Sequence, residues 1–514
     1  MKITMKLLLG LPILLAFLVA GCTLDTPEQS TELVGPSGDQ AFANFASMGN
    51  SLTAGYQDGG VCINGQLSSY PRLIAQQMGL DVSVGSSDFT QPYIAMPGIG
   101  GVNPDDPSLV DGVLHFDGAS LSVLGTHNTA DVMDATSPAN PLMLRTLPVP
   151  YDNHGVPGAW IHDVMNAYDA TTSVPSGNTF FNFNNRESLF GNTTVDPSAG
   201  PPATPGWETS SMFWQTVAGG PAVTTLWIGN NDILYGATAG NPVAGENMTD
   251  TATFQAEYTA LLGTLAGALM QRTGYPTTIV VANIPSISTI PYFIPKALFQ
   301  SALPEALGGD WPWGYEDGND DDGMLMTFRV LSWIAVPENQ GTAIPSNYTL
   351  TTAEVGVVET QVATFNGIIA GVAAGVNDSG MATVGVVDTN ALMAEIASGA
   401  HEAGPLAAMH FLFLVGQDNP LTPDVDDPMS VEEAAAATLF SLDGVHPNSR
   451  GYGVIANAFI EKINELQGTS VADVDWNALV WDPTYGADIS GKTMAGTMPA
   501  LSPEAAQAMT AIWR

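Results

Sequence analysis

Short apolar runs alternate with segments of helical period along most of the chain. Residues 42–48 (FANFASM) form an apolar run that stops at Gly49-Asn50-Ser51, which predicts a strand and then a tight turn. Residues 70–78 (YPRLIAQQM) put Leu73, Ile74 and Met78 on one face and stop at Gly79, a short helix. A second strand is predicted over 222–228 (AVTTLWI), ending at Gly229-Asn230-Asn231-Asp232. Over 253–271, Phe254, Tyr258, Leu261, Leu262, Leu265 and Leu269 recur at helical spacing. Residues 277–284 (TTIVVANI) are a nearly continuous β-branched run, the pattern of a strand buried on both faces. A long helix over 352–374, a buried strand over 382–387 ending at Asp388, and a last helix over 451–466 complete the series. Strands that are apolar throughout and alternate with helices predict an α/β fold, a three-layer α/β/α sandwich around a central parallel sheet.

Three stretches break this rhythm and read as long insertions. Residues 80–150 and 170–215 are rich in Gly, Pro, Asn, Asp and Ser. Residues 291–350 carry Trp311, Trp313, an acidic run over 316–322 (EDGNDDD) and an apolar segment over 324–336 (MLMTFRVLSWIAV). Loops this long in a compact domain serve as lids or binding loops, or lie disordered. The apolar segment is too short to span a bilayer. Its Leu325, Phe328, Leu331, Ser332 and Trp333 partly follow a helical period, so one expectation is an amphipathic lid and the other a segment packed on the core. The acidic run falls short of an EF-hand loop, because Asp322 stands where the sharp-turn glycine belongs; no metal is expected there.

The first residues follow another pattern. Lys2 and Lys6 precede an apolar run over 7–20, shorter than the roughly 20 residues a spanning helix requires and suited to the core of an export signal. It ends in Val19-Ala20-Gly21-Cys22, which resembles a bacterial lipobox. That resemblance implies removal of residues 1–21 and diacylation of the Cys22 thiol. The expected product is lipid-anchored in the cell envelope, at the outer membrane. Residues 22–40 are polar and read as a tether, 41–466 as the folded domain with its insertions, and 467–514 as a C-terminal extension.

Composition narrows the partners. Twelve Lys and Arg stand against 51 Asp and Glu, a net charge of −39, so nucleic acid and anionic surfaces would be repelled. Only 12% of residues are charged, which makes this a shortage of basic residues, as a hydrated acidic surface in a saline habitat would show. With Cys22 acylated, Cys62 has no partner for an intramolecular disulfide. No nucleophile motif surrounds it, and it reads as a small packed residue.

The candidate chemistry lies at the strand ends. Ser51 follows the first strand at a strand-to-helix turn, where backbone N–H groups and a helix dipole gather; a plain N-cap serine would look the same. In Asp443-Gly444-Val445-His446-Pro447 a short turn lets the carboxylate hold one imidazole nitrogen while the other faces outward. Of the seven histidines, His446 is the one with an acid three residues before it in a turn. Asn231 and Asp232 end a buried strand, where a simple turn is also common.

Taken in order, four such blocks over residues 42–465 resemble the SGNH (GDSL) hydrolases. Gly49-Asn50-Ser51-Leu52 is similar to the family's Gly-Asp-Ser-Leu, with Asn50 in place of Asp. Asn153-His154-Gly155-Val156-Pro157-Gly158-Ala159 matches the second block, with Met96-Pro97-Gly98-Ile99-Gly100-Gly101 as a rival. Gly229-Asn230-Asn231-Asp232 matches the third and Asp443 to His446 the last. The resemblance implies a flavodoxin-like sheet, Ser51 as nucleophile, His446 as its base and Asp443 as the group orienting it. It further implies an oxyanion hole of the Ser51 N–H, the Gly158 N–H and the Asn231 amide, with Asp232 capping the following turn. No cofactor and no metal enter this chemistry. The partner is an ester substrate, of a lipase or carboxylesterase, and the lid expectation favours medium or longer acyl chains. A carbohydrate O-acetylesterase and a non-catalytic surface-binding lipoprotein on the same fold are the alternatives.

Overall fold

In the computed structural model, the four β-branched or apolar runs become β1 (Phe45–Gly49), β3 (Val223–Trp227), β4 (Thr277–Ala282) and β5 (Ala382–Val387), and a short strand that no such run marked, β2 (Asn153–Gly155), joins them. The structure describes residues 38–487 other than 104, 135–136, 145–149, 185–210, 303–312, 317–320, 335 and 419–427, together with 489, 500 and 501. The export segment, the lipobox, residues 22–37 of the tether and Trp311 lie outside the described residues.

The strands pair in the order β5-β4-β3-β1-β2, and every pair is parallel. From β1 the chain first moves one way, to β2, and then the other way, through β3, β4 and β5. Loops leaving the carboxyl ends of β1 and β3 therefore diverge and open a crevice, the position where open parallel sheets bind ligands. All residues of β1, β3 and β4 are buried, because both faces of the sheet are covered.

Among the described residues the helices that pack around the sheet and the site include α1 (Ser51–Ala54), α2 (Tyr70–Gln77), α3 (Ile161–Asn166), α4 (Met212–Gly219), α5 (Asn231–Thr238), α6 (Thr251–Thr273), α7 (Thr352–Ser379), α8 (Thr389–Ala397) and α9 (Ser449–Gln467). On one face α2 and α9 pack under Val280 and Ala282 of β4, with the Tyr70 ring stacked 4.7 Å from Phe459. The alternate residues Ile279 and Val281 face the other side, where α6 and α7 meet through Phe254 stacked 3.7 Å from Phe365. The period of two along one strand thus feeds two separate cores. The fold is a three-layer α/β/α sandwich.

Three details differ from the sequence reading. Residues Gly38–Ala43 form a 3-10 turn and β1 begins only at Phe45, because Ala41 and Phe42 are buried against the α2 and α9 side chains instead of a strand neighbour. Helix α7 runs on to Ser379 and stops at Gly380, whose φ of 70° supplies the left-handed terminus. The lid expectation for 324–336 is overturned. Leu325–Thr327 pairs antiparallel with Phe293–Pro295 and Thr349–Leu350, and only Val330–Ile334 is helical. Met326, Phe328 and Val330 are fully buried in the main core, so the partial helical period came from a segment that is half strand.

The C-terminal extension also joins the fold. Val474, Trp476 and Trp481 are buried, and Ala500–Leu501 pairs with Ser120 and Leu121 of the first insertion.

Candidate active site

Glycines let the first turn close on the sheet. A Cβ on Gly49 would run into Thr53 Oγ1 and the Trp227 carbonyl, and one on Gly155 into the backbone of Thr53 and Ala54. With neither present, α1 sits directly on the ends of β1 and β2. Asn50 caps α1: its Oδ1 accepts from Leu52 N–H at 3.1 Å, and its Nδ2 donates to Asn230 Oδ1 at 3.1 Å, tying the β1 turn to the β3 turn. An aspartate could not make the second bond, having no donor.

Ser51, 7% exposed, opens this helix. Its hydroxyl lies 2.8 Å from His446 Nε2, and His446 Nδ1 lies 3.0 Å from Asp443 Oδ2. The imidazole donates from Nδ1 to the carboxylate and accepts from the serine at Nε2. Asp443 is fully buried. Burial opposes its charge, yet the His446 imidazole and the N–H groups of His446 and Val445 hold its carboxyl below the ordinary range. Those two N–H groups reach Oδ1, each at 2.8 Å, and Gly59 N–H reaches Oδ2 at 2.9 Å. The acid and the histidine sit three residues apart because Gly444 turns at φ 71°; a Cβ there would stand 2.7 Å from His410 Cδ2. The Tyr56 ring lies 4.5 Å from the imidazole and backs it.

Ser51 and Asn231 line one pocket, and Asn231 and Gly158 line the next. Among the described residues nothing accepts from Ser51 N–H or Gly158 N–H. Asn231 Nδ2 donates to Ala159 O at 2.8 Å and carries a second N–H. The loop bearing Gly158 is pinned. Asn178 donates to Pro157 O at 2.7 Å, Asp163 accepts from Trp160 N–H at 2.8 Å, and Asp232 accepts from Ile161 N–H at 3.0 Å. Asp232 thus caps the neighbouring α3 and takes the Thr249 hydroxyl at 2.6 Å, where the sequence suggested only a cap of its own turn. Burial pushes both Asp163 and Asp232 up to about 7. In the rival block from Met96 to Gly101, Gly98 N–H donates to Ala95 O at 2.9 Å and Gly100 N–H to Asp111 O at 2.6 Å, while Gly100 and Gly101 border the same pocket as Gly158. Cys62 is buried, and burial pushes its thiol up to about 11.

Two pockets meet at Asn231. One, about 750 Å³ with its open mouth, borders Ser51 and His446 and is walled by hydrocarbon, including Leu234, Ile290, Leu392, Ile396 and Val454. The other, about 680 Å³ with its mouth, borders Gly158 and presents Trp160 and Tyr235, whose rings lie 5.7 Å apart. Sequence patterns gave no hint of Tyr56, Gly59 or the apolar walls of the first pocket, which come from widely separated parts of the chain. Among the described residues no three His, Cys, Asp or Glu side chains are grouped to hold a metal ion. A hydroxyl aligned with an imidazole and a buried carboxylate can add to an electrophilic carbonyl.

Residues 45–459 match the family described as GDSL-like Lipase/Acylhydrolase. Comparison with curated proteins and with solved structures finds no match.

Proposed function

Because the chain belongs to the GDSL-like lipase/acylhydrolase family, and is thereby an esterase- or lipase-type hydrolase, we propose that it cleaves carboxylic esters through an acyl-enzyme on Ser51. The observation that carries this reading is the line Asp443–His446–Ser51, at 3.0 and 2.8 Å, at the carboxyl edge of the sheet. His446 Nε2 takes the hydroxyl proton as Oγ bonds to the ester carbon, and the carbonyl electrons move to oxygen. The N–H groups of Ser51, Gly158 and Asn231 stabilise that charge. Collapse breaks the bond to the alcohol oxygen, which takes the proton from His446. Water then repeats the sequence and frees Ser51. Asp443 stays ionised and holds the imidazole in the tautomer that accepts at Nε2.

The hydrocarbon pocket beside Ser51 supports an ester with a long apolar chain. Each buried CH₂ contributes about 0.8 kcal/mol, so several carbons outweigh one polar contact. The Trp160 and Tyr235 pair favours a second reading, a carbohydrate O-acetylesterase, since flat aromatic faces suit a hydroxylated ring. The Val19-Ala20-Gly21-Cys22 sequence supports a lipid anchor on Cys22 and display in the cell envelope at the outer membrane; a diacylglyceryl mass on Cys22 is its signature.

One assay tests both enzyme readings. Purified protein is given p-nitrophenyl esters from acetyl to palmitoyl, alongside Ser51→Ala. The expected result is kcat/KM rising with chain length and no turnover by Ser51→Ala, with its melting temperature preserved. Substantial turnover by Ser51→Ala ends the mechanism, and best activity on the acetyl ester selects the carbohydrate esterase.

A further inference from the structure

The turn after α1 holds a buried carboxylate that the ester chemistry does not use. Asp58 is fully buried, with a φ of 56°, a left-handed conformation that Asp and Asn tolerate better than most residues. Its oxygens take four donors. Oδ1 accepts from Leu442 N–H at 2.9 Å, while Oδ2 accepts from the Gln57 amide at 3.0 Å, the Trp481 indole at 3.1 Å and the Tyr485 hydroxyl at 2.7 Å. The same turn grips the acid loop twice more: Asp58 N–H donates to Ser441 Oγ at 3.0 Å, and Gly59 N–H donates to Asp443 Oδ2 at 2.9 Å. Residues 441, 442 and 443 are therefore held in succession, and the last bond ends on the oxygen that also accepts from His446 Nδ1.

We propose that Asp58 is a positioning residue for the Asp443–His446 pair, and that the C-terminal segment carrying Trp481 and Tyr485 is the clasp that keeps it in place. The proposal rests on the ester-hydrolase reading of Ser51. Two buried carboxylates side by side repel, and a neutral side chain would fill the same space at lower cost. Four donors converging on one carboxyl are the counterpart of an ionised, acceptor-only group. Burial raises Asp58 to about 6 and the charge of Asp443 adds to this, while Leu442 N–H, Tyr485 and Trp481 act in the opposite direction. The other titratable groups that feel its charge are Cys62, Tyr452 and Tyr485, none of them basic. Trp481 and Tyr485 stand beyond residue 459, where the family match ends, so the clasp belongs to this chain's own extension. The extension is fixed in turn by Phe116 N–H donating to Pro483 O at 2.8 Å and by the Trp481 ring against Phe411 at 5.7 Å.

The test uses Trp481→Phe combined with Tyr485→Phe, and separately Asp58→Asn, in the full chain. The phenylalanines remove two donors; Tyr485→Phe keeps its ring, and Trp481→Phe leaves a smaller aromatic ring in place of the indole. Fewer donors favour the neutral carboxyl, so Asp58 keeps its proton to higher pH. The acid limb of kcat/KM should then move to higher pH, and kcat at the optimum should fall about tenfold or more, as small misplacements of catalytic groups do. KM should stay unchanged, because neither residue lines a pocket. Asp58→Asn keeps the shape and the left-handed backbone but turns an NH₂ toward at least one of the four donors. It should lower kcat in the same way and give an acid limb from which the Asp58 ionisation is absent. Native kcat with a native acid limb in the phenylalanine pair, beside an inactive Ser51→Ala, overturns the proposal. Turnover surviving Ser51→Ala strikes the ester-hydrolase reading instead. Should Asp58→Asn fail to fold, the phenylalanine pair decides alone.

Discussion

Single side chains at this site serve the sheet and the chemistry together. One N–H of the Asn231 amide holds the Ala159 carbonyl, and the proposed mechanism assigns the other to the oxyanion. Asn231→Ala removes the donor to the oxyanion and also leaves the Gly158 loop with one tie fewer. A loss of about 10²–10³ in kcat is expected with little change in KM, as for other oxyanion donors. Steady-state kinetics on one ester reads the split, and a change in KM alone would reassign Asn231 to substrate binding. Asn50 is a subtler case. Its departure from the family's Asp is not chemically idle, since its Nδ2 joins Asn230 across the two turns.

At the level of elements, the site depends on how closely α1 can approach β2. Gly155 ends β2, and a Cβ there would meet Thr53 and Ala54 backbone atoms, which cannot swing aside as a flexible side chain can. Gly155→Ala must push the one-turn helix, and Ser51 with it, away from His446. We expect a stability loss of about 1–3 kcal/mol, the usual range for overpacking, together with a lower kcat. Urea unfolding and turnover measure the two effects; native values for both would show that α1 can shift without consequence. The insertion at 291–350 works on the opposite wall. Phe328 stacks 4.0 Å from His410, whose Nε2 meets Leu442 O at 3.0 Å, so the segment expected as a lid braces the acid loop from behind.

For the whole molecule, buried acids set the response to pH. Asp163 and Asp232, pushed up to about 7 by burial, hold protons in the folded chain that the unfolded chain releases above about pH 4. Their contribution to stability is complete below about pH 4 and is lost as the pH rises through about 7. Asp58 and Asp152, raised by burial to about 6, act in the same direction. His154 and His410, pushed down by burial to about 4, act the other way: their contribution is complete above about pH 6.5 and is lost as the pH falls through about 4. Burial also lowers His127, and four raised carboxylates outweigh three lowered imidazoles, so the melting temperature should be lower at pH 8 than at pH 5. Repulsion within a chain of net charge −39 adds to this difference but is screened by salt, whereas buried protonation is not. Melting curves at both pH values, in low salt and in about 1 M salt, separate the two, since at 1 M the Debye length is only about 3 Å. A gap that vanishes in salt assigns the effect to the surface, and no gap at all contradicts the buried acids.

The sequence by itself determined the layers. Apolar runs such as 277–284 and 382–387 leave no polar face, so those strands had to be covered on both sides, and the helical period of 253–271 marked one of the covers. It also marked the turns at Ser51, Asn231 and Asp443 to His446, because tight turns need Gly, Asn and Asp at fixed places. Tertiary structure alone decided what lies between those points. The 324–336 segment has one composition for a lid and for a core strand, and only the antiparallel neighbours from Phe293–Pro295 and Thr349–Leu350 chose. Asp58 reads as a turn residue until the chain returns more than 380 residues later to set Leu442 and Asp443 against it. Local pattern carries burial and turns, since both act over a few residues; the partners of a buried charge are set by the path of the whole chain.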